Sequence, residues 1–355
     1  MQDTALANQY AGAWNMDTIY LPSGGRIVMD YESDDYAYVQ NKRAGQMFFV
    51  KGFAKDTIAA NFVAGSASAN SLYTTAATLF GSPTPNNYIV VDVSPYVSLL
   101  NNTVNPKDEA IKRFCEDVKD IYFKARVQLT TDATSNEYVT GYAGYDKTKV
   151  HYNGFTANLF IPITNVVDGG STVNPITLAA YQLMRFNLPD LAYSLTGQVS
   201  AVNNPKQESA KRIVFALAAF LKDAADIIRG FNKNRLSKQW GKTVDVTKSW
   251  VRLANPNYKK MGGGSRVKRI TVSDNWTIAN GGGESSYVQD FSYTTTLNGK
   301  VISSGVASYE PALGGEEISL KQPLPYKDKA KLAPENTYFT ETPIGENFFP
   351  SPVVK

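Results

Sequence analysis

"NPKDEAIKRFCEDVKDIY", Asn105 to Tyr122, is the stretch on which the fold turns. Asn105 offers an N-cap oxygen, and Pro106 suits a first helical turn, where its missing N–H would have no partner anyway. Beyond them Ile111, Phe114, Cys115, Val118, Ile121 and Tyr122 recur three and four residues apart, with Lys, Asp and Glu between. That is the spacing of an amphipathic helix, and it predicts one helix running as far as Tyr122. The same start signal returns twice. Asn174-Pro175 precedes "ITLAAYQLMRF", which Pro189 ends or kinks, and Asn204-Pro205 precedes a stripe of Ile213, Leu217, Phe220, Leu221, Ala224 and Ile228 closed by Gly230. Between the helices, "EYVTGYAGYDKTKVHYNGFTANLFIPI" (137–163) reads as a β-hairpin.

The flanks read as strands. "DTIYLP" and "RIVMDYE" are joined by Ser23-Gly24-Gly25, a short turn signal. "QMFFVKGF" follows, and the apolar run Ile89–Val93 suits a strand buried on both faces. In the last third, "SWVRLANP", "SRVKRITVSDNW" and "SSYVQDFSYTTTLNGKVISSGVASYE" alternate, with Asn298-Gly299 as a hairpin turn. The glycine triplets Gly262–Gly264 and Gly281–Gly283 read most simply as mobile loop tips. The expected fold class is therefore α+β. A β-rich part over 1–104 and another over 241–325 share a sheet, a helical middle over 105–240 is inserted, and an extended Pro-rich tail covers 326–355.

Composition narrows the function classes. Of 355 residues 43% are hydrophobic and 19% charged, so a sizeable core can form beneath a neutral-polar surface. The 21 tyrosines suit a β-rich secreted or surface-exposed protein. A net charge of +4, dispersed along the chain, does not predict nucleic-acid binding. The densest basic run, Ser265–Ile270, alternates and predicts one solvated strand face. No run of about 20 apolar residues predicts membrane insertion. The N-terminus shows no export signal. "ENFFPSPVVK" ends as a cut strand would, which suggests an excised piece of a larger chain.

Catalytic motifs are mostly excluded by count. The single cysteine, Cys115, falls on an apolar helical face and reads as a core thiol; one histidine, His151, reads as a strand-surface residue and cannot build a multi-His metal site. "WGKT", Trp240–Thr243, would need glycine at 236 to be a phosphate loop, and Leu236 stands there. Carboxylates remain. Glu32, Asp34 and Asp35 follow an N-terminal strand, and Glu310, Glu316 and Glu317 follow a C-terminal one. If those strands share a sheet, six carboxylates lie at one end, where a Ca²⁺ ion, which takes six to eight oxygens, would relieve their repulsion. The competing reading is two solvated acidic turns. No other cofactor is expected.

Four phrases taken together, "IYLPSGGRIVMDYESDDYAYVQ", "GGGSRVKRITVSDNW", "NGKVISSGVASYEPALGGEE" and "GENFFPSPVVK", resemble a segment of very large secreted or cell-surface proteins of Bacteroidetes, some with Rhs-like repeat regions. The resemblance covers both strand-rich ends, is weaker across the middle, and carries no catalytic residue. It implies an extracellular structural or interaction module of a multidomain chain, whose partners are other domains of that chain, other surface proteins or glycans. Two alternatives stand beside it. One is a carbohydrate-active or carbohydrate-binding domain using Asp/Glu and aromatics. The other is a virion or appendage component.

Overall fold

A computed structural model describes residues 3–74, 84–132, 134–168, 170–187, 235, 238–274, 285–308, 321–327 and 337–343 of the chain. Four α-helices occur among the described residues: α1 (Thr4–Gly12), α2 (Val97–Asn101), α3 (Pro106–Ala110) and α4 (Pro175–Asn187). The strands that build the two principal sheets are, in chain order, β1 (Thr18–Tyr20), β2 (Arg26–Tyr36), β3 (Gly45–Ala54), β4 (Tyr88–Asp92), β5 (Asp120–Gln128) and β6 (Asn136–Gly144), followed by β7 (His151–Asn153), β8 (Asn158–Pro162), β9 (Val244–Ala254), β10 (Lys260–Ser273) and β11 (Ser286–Asp290). A separate hairpin pairs β12 (Thr294–Leu297) with β13 (Lys300–Ser303).

Strands make up 48% of the described part and helices 19%, which corrects the α+β expectation of a helical middle. The decisive stretch is itself the correction. Asn105 caps α3 as its sequence predicts, accepting from the Asp108 amide. The helix then widens into a π turn over Ile111–Cys115 and stops. From Asp120 the chain is strand. Ile121, Phe123, Ala125 and Val127 point into the core, while Lys124, Arg126 and Gln128 alternate outward. Ile121 and Tyr122 satisfy a helical count and a two-residue count equally. The alternation beyond them, in a strand flanked on both sides by others, decides for the strand. The middle also supplies β6, β7 and β8, and the 204–230 stripe lies outside the described residues.

The chain divides into two compact units. One is built from Met1–Gly45 and Ala254–Pro311, the other from Gln46–Leu253 and Ala312–Glu346. In the first, a four-stranded sheet runs β1-β2-β10-β11. The Ser23–Gly25 turn closes β1 onto β2, with Tyr20 opposite Arg26 and Gly24 at φ 86°. Asn298 and Gly299, at φ 49° and 77°, give the β12–β13 turn its two left-handed residues.

In the second unit, a seven-stranded sheet runs β6-β5-β9-β3-β4-β8-β7. The 137–163 stretch therefore does not close on itself as one hairpin: β6 takes one edge of the sheet and the β8–β7 hairpin builds the other. One face of the sheet is the core. Phe48, Tyr96 and Phe114 meet edge to face, with centroids 5.5–6.0 Å apart, and α4 adds Ile176, Ala180, Tyr181 and Met184. Asn174 caps α4 by accepting from the Ile176 amide at 2.9 Å. Buried Asp168 accepts from Arg185 and Arg235, and Arg235 lies 4.7 Å from the Tyr181 ring centre. Burial pushes the Arg235 pKa down to about 10. On the opposite face, Ala54, Val90 and Phe160 are covered by Phe62 and Tyr88.

Candidate functional site

Three of the six carboxylates singled out in the sequence are described, and all three lie on β2. Their surroundings are set by β10, where Gly262–Gly264 form a bulge rather than a loop tip. Four steps along β10, from Met261 to Ser265, match the two steps of β2 from Asp35 to Ser33. Because the inserted residues are glycines, the Asp34 carboxylate can fold down over them and accept from the Gly264 amide at 3.0 Å. A Cβ on Gly264 would sit 2.9 Å from Asp34 Oδ2.

The same bulge lets Arg266 serve two acids. It stands opposite Glu32 and donates to Glu32 Oε1 at 2.8 Å, and it donates to both Asp35 oxygens at 2.8 and 3.2 Å. Ser303 Oγ donates to Asp35 in a short bond, and Lys259 pairs with Asp35 at 3.1 Å. The Asp35 side chain is only 3% exposed. Burial opposes its charge, but the bonds from Ser303, Arg266 and Lys259 outweigh burial and hold its carboxyl below the ordinary value. Burial likewise opposes the Arg266 charge, and its bonds to Asp35 and Glu32 raise its pKa. Arg266 also lies 4.2 Å from the Tyr293 ring centre. These groups wall a cavity of about 300 Å³ that also holds Lys268.

The chemistry of this cluster is charge pairing. Glu32 and Asp35 are matched by protein cations, and no described group of three or more His, Cys, Asp or Glu side chains is gathered for a metal. Glu310, Glu316 and Glu317 lie outside the described residues, so the six-carboxylate calcium arrangement is represented only by its β2 half. The basic run on β10 is likewise engaged: Arg269 pairs with Asp290 at 2.6 Å. Cys115 is fully buried, and burial pushes its thiol up to about 12. His151 lies on the edge strand β7, tilted against Phe160 at 6.1 Å. In "WGKT", Gly241 at φ 57° turns the chain toward β9, and Thr177 of α4 donates to its carbonyl oxygen.

A second site has no counterpart among the sequence candidates. On the outer face of the seven-stranded sheet, three rings from separate strands form one strip. Trp250 (β9) has its centroid 5.5 Å from Phe49 (β3) and 6.3 Å from Tyr138 (β6), nearly parallel to Tyr138 at 23°. Phe49 is 59% exposed and Tyr138 40%. Lys124 Nζ and the Arg126 guanidinium, from β5 between them, lie 5.2 and 5.9 Å from the Tyr138 ring centre.

A bulge aims Trp250. Asp245 stands opposite Arg126, but the next pair is Trp250 with Lys124, so five steps along β9 match two along β5. A regular ladder would put Trp250 opposite Ile121, facing the core. The three extra residues shift the register by an odd number, and an odd shift moves a side chain to the other face. Ser249 bridges the bulge: its Oγ accepts from the Arg126 amide at 3.0 Å and donates to the Asp245 carbonyl at 2.7 Å. In the sequence the only trace of this arrangement is the outward set Lys124 and Arg126. Of its ring partners, Tyr138 lies on the next strand, but Phe49 stands more than 70 residues before Lys124 and Trp250 more than 120 after it.

No protein-family profile, curated protein or solved structure matches the chain. No described helix is long and apolar enough to cross a membrane.

Proposed function

We propose that the protein is an interaction module of a larger secreted or cell-surface protein, and that it binds through the aromatic strip on the β6-β5-β9-β3 half of its seven-stranded sheet. The observation that carries this reading is the β9 bulge. A tryptophan that would otherwise join the core is turned outward beside two exposed rings, at the cost of an interrupted ladder. Contiguous exposed aromatic surface on a rigid frame is a recurring feature of binding faces, and bulges gather where a side chain must be re-aimed. The resemblance of the strand-rich ends to large surface proteins supports the setting.

Asp35 does not suit the role of general acid. A general acid must exchange a proton near the working pH, and the bonds to Asp35 keep it ionised far below that. The test is binding of the labelled chain to arrays of surface polysaccharides and purified surface proteins. Wild type should give discrete signals that a Phe49→Ser, Trp250→Ser variant with an unchanged melting temperature loses at least tenfold. Signals identical in the two proteins would overturn the assignment of the face.

A further inference from the structure

We infer that the strip takes one uronic-acid residue of an acidic polysaccharide at a time, in the notch between Met47, Lys124, Tyr138 and Trp250. The inference rests on the binding face proposed above and names its ligand. The notch encloses about 260 Å³. That lies just under the roughly 300–1,000 Å³ of pockets that bury a drug-sized molecule, so it suits a single ring with the rest of a polymer running over the open sheet. Its walls are a thioether, two aromatic rings and one ammonium group. A matching ligand has an apolar face and one anionic group at its edge. A pyranose uronate has both: C–H bonds on one face of the ring and a carboxylate on C5.

Charge favours the acid over a neutral sugar. Lys124 and Arg126 both stand over Tyr138, so a carboxylate at the edge of the notch meets two cations. Ring spacing favours a sugar over single-stranded nucleic acid. Successive bases need separate ring faces and cations tracking the backbone. Here Trp250 links Phe49 and Tyr138 in one ledge, and both cations crowd the Tyr138 ring.

Calorimetric titration with an oligogalacturonate of defined length, its carboxyl-reduced counterpart and an oligothymidylate tests this. The oligogalacturonate should bind wild type at least tenfold more tightly than either of the others. Lys124→Met keeps the stem and removes one of the two charges, so it should narrow the preference for the acid, and adding Arg126→Met should erase it. Trp250→Ala should weaken both saccharides tenfold or more. Equal binding of acidic and neutral oligomers, tighter binding of oligothymidylate, or no heat from the oligogalacturonate would each overturn the uronate assignment. The arrays separate this failure from that of the face. If oligogalacturonate does not displace array signals that the Phe49→Ser, Trp250→Ser variant has lost, the face stands and its ligand is another; if that variant keeps its signals, both fail.

Discussion

Replacing Arg266 by Met tests how the first unit holds its sheet together. Arg266 supplies three hydrogen bonds to Glu32 and Asp35, and its side chain is 15% exposed. Met keeps much of the apolar stem near Tyr293 but leaves Asp35 buried with Ser303 and with Lys259, which is half-exposed. Removing one partner of a buried pair costs about 3–5 kcal/mol. Because two donors to Asp35 remain, we expect the low end, about 3 kcal/mol. Hydrogen exchange of peptides covering 26–36 and 260–273 reads the opening of that sheet directly. At about 1.4 kcal/mol per decade, exchange there should quicken roughly 100-fold, with peptides of the seven-stranded sheet unchanged. The sign with pH follows from Asp35. Its native pKa is depressed below the unfolded value of about 3.9, so its contribution is whole above pH 3.9 and is lost as pH falls through the lower native value. Urea titrations should therefore show the gap between wild type and variant constant from pH 5 to 7 and narrowing toward pH 3. An exchange change below fivefold at pH 7 would refute the reasoning and make the cluster a solvated surface pairing.

Three further outcomes follow. Phe123→Ala, inside the core, should cost about 3–5 kcal/mol, whereas Lys124→Ala beside it should change the melting temperature little; equal effects would contradict the alternation of β5. Cys115 should resist iodoacetamide at pH 8 in the native protein and react once unfolded, since burial pushes its thiol up to about 12; rapid native labelling would contradict its place in the core. Calcium titrated after chelation should give no heat that Glu32→Gln, Asp34→Asn or Asp35→Asn removes, because protein donors already engage those oxygens; heat lost in any of these variants would restore a calcium role for β2.

Local features were legible where one or two residues dictate the backbone. Asn298-Gly299 encodes two left-handed residues and so a tight hairpin, Asn174 encodes a cap, and Gly24 a turn. Features that depend on pairing were not. Ile121 and Tyr122 fit two periodicities, and only the neighbouring strands choose between them. Gly262–Gly264 look like a loop tip until β2 lies alongside, when the absent side chains become the space for the Asp34 carboxylate. The aromatic strip depends on strand order and on an odd register shift between Asp245 and Trp250, neither of which leaves a local mark. The acidic residues of β2 stand out in the sequence, whereas the cation that answers them, Arg266, lies in a run that reads as a solvated basic face.

The central claim is that the β9 bulge turns Trp250 to the outer face. Its most direct test is the response of the tryptophan indole N–H signals to a soluble paramagnetic agent, with contacts read from nuclear Overhauser effects. The account predicts strong broadening of the Trp250 signal, little for buried Trp240, and contacts from the Trp250 ring to Tyr138 and Phe49. A Trp250 signal protected as well as that of Trp240, with contacts to Ile121 or Phe123, would contradict it.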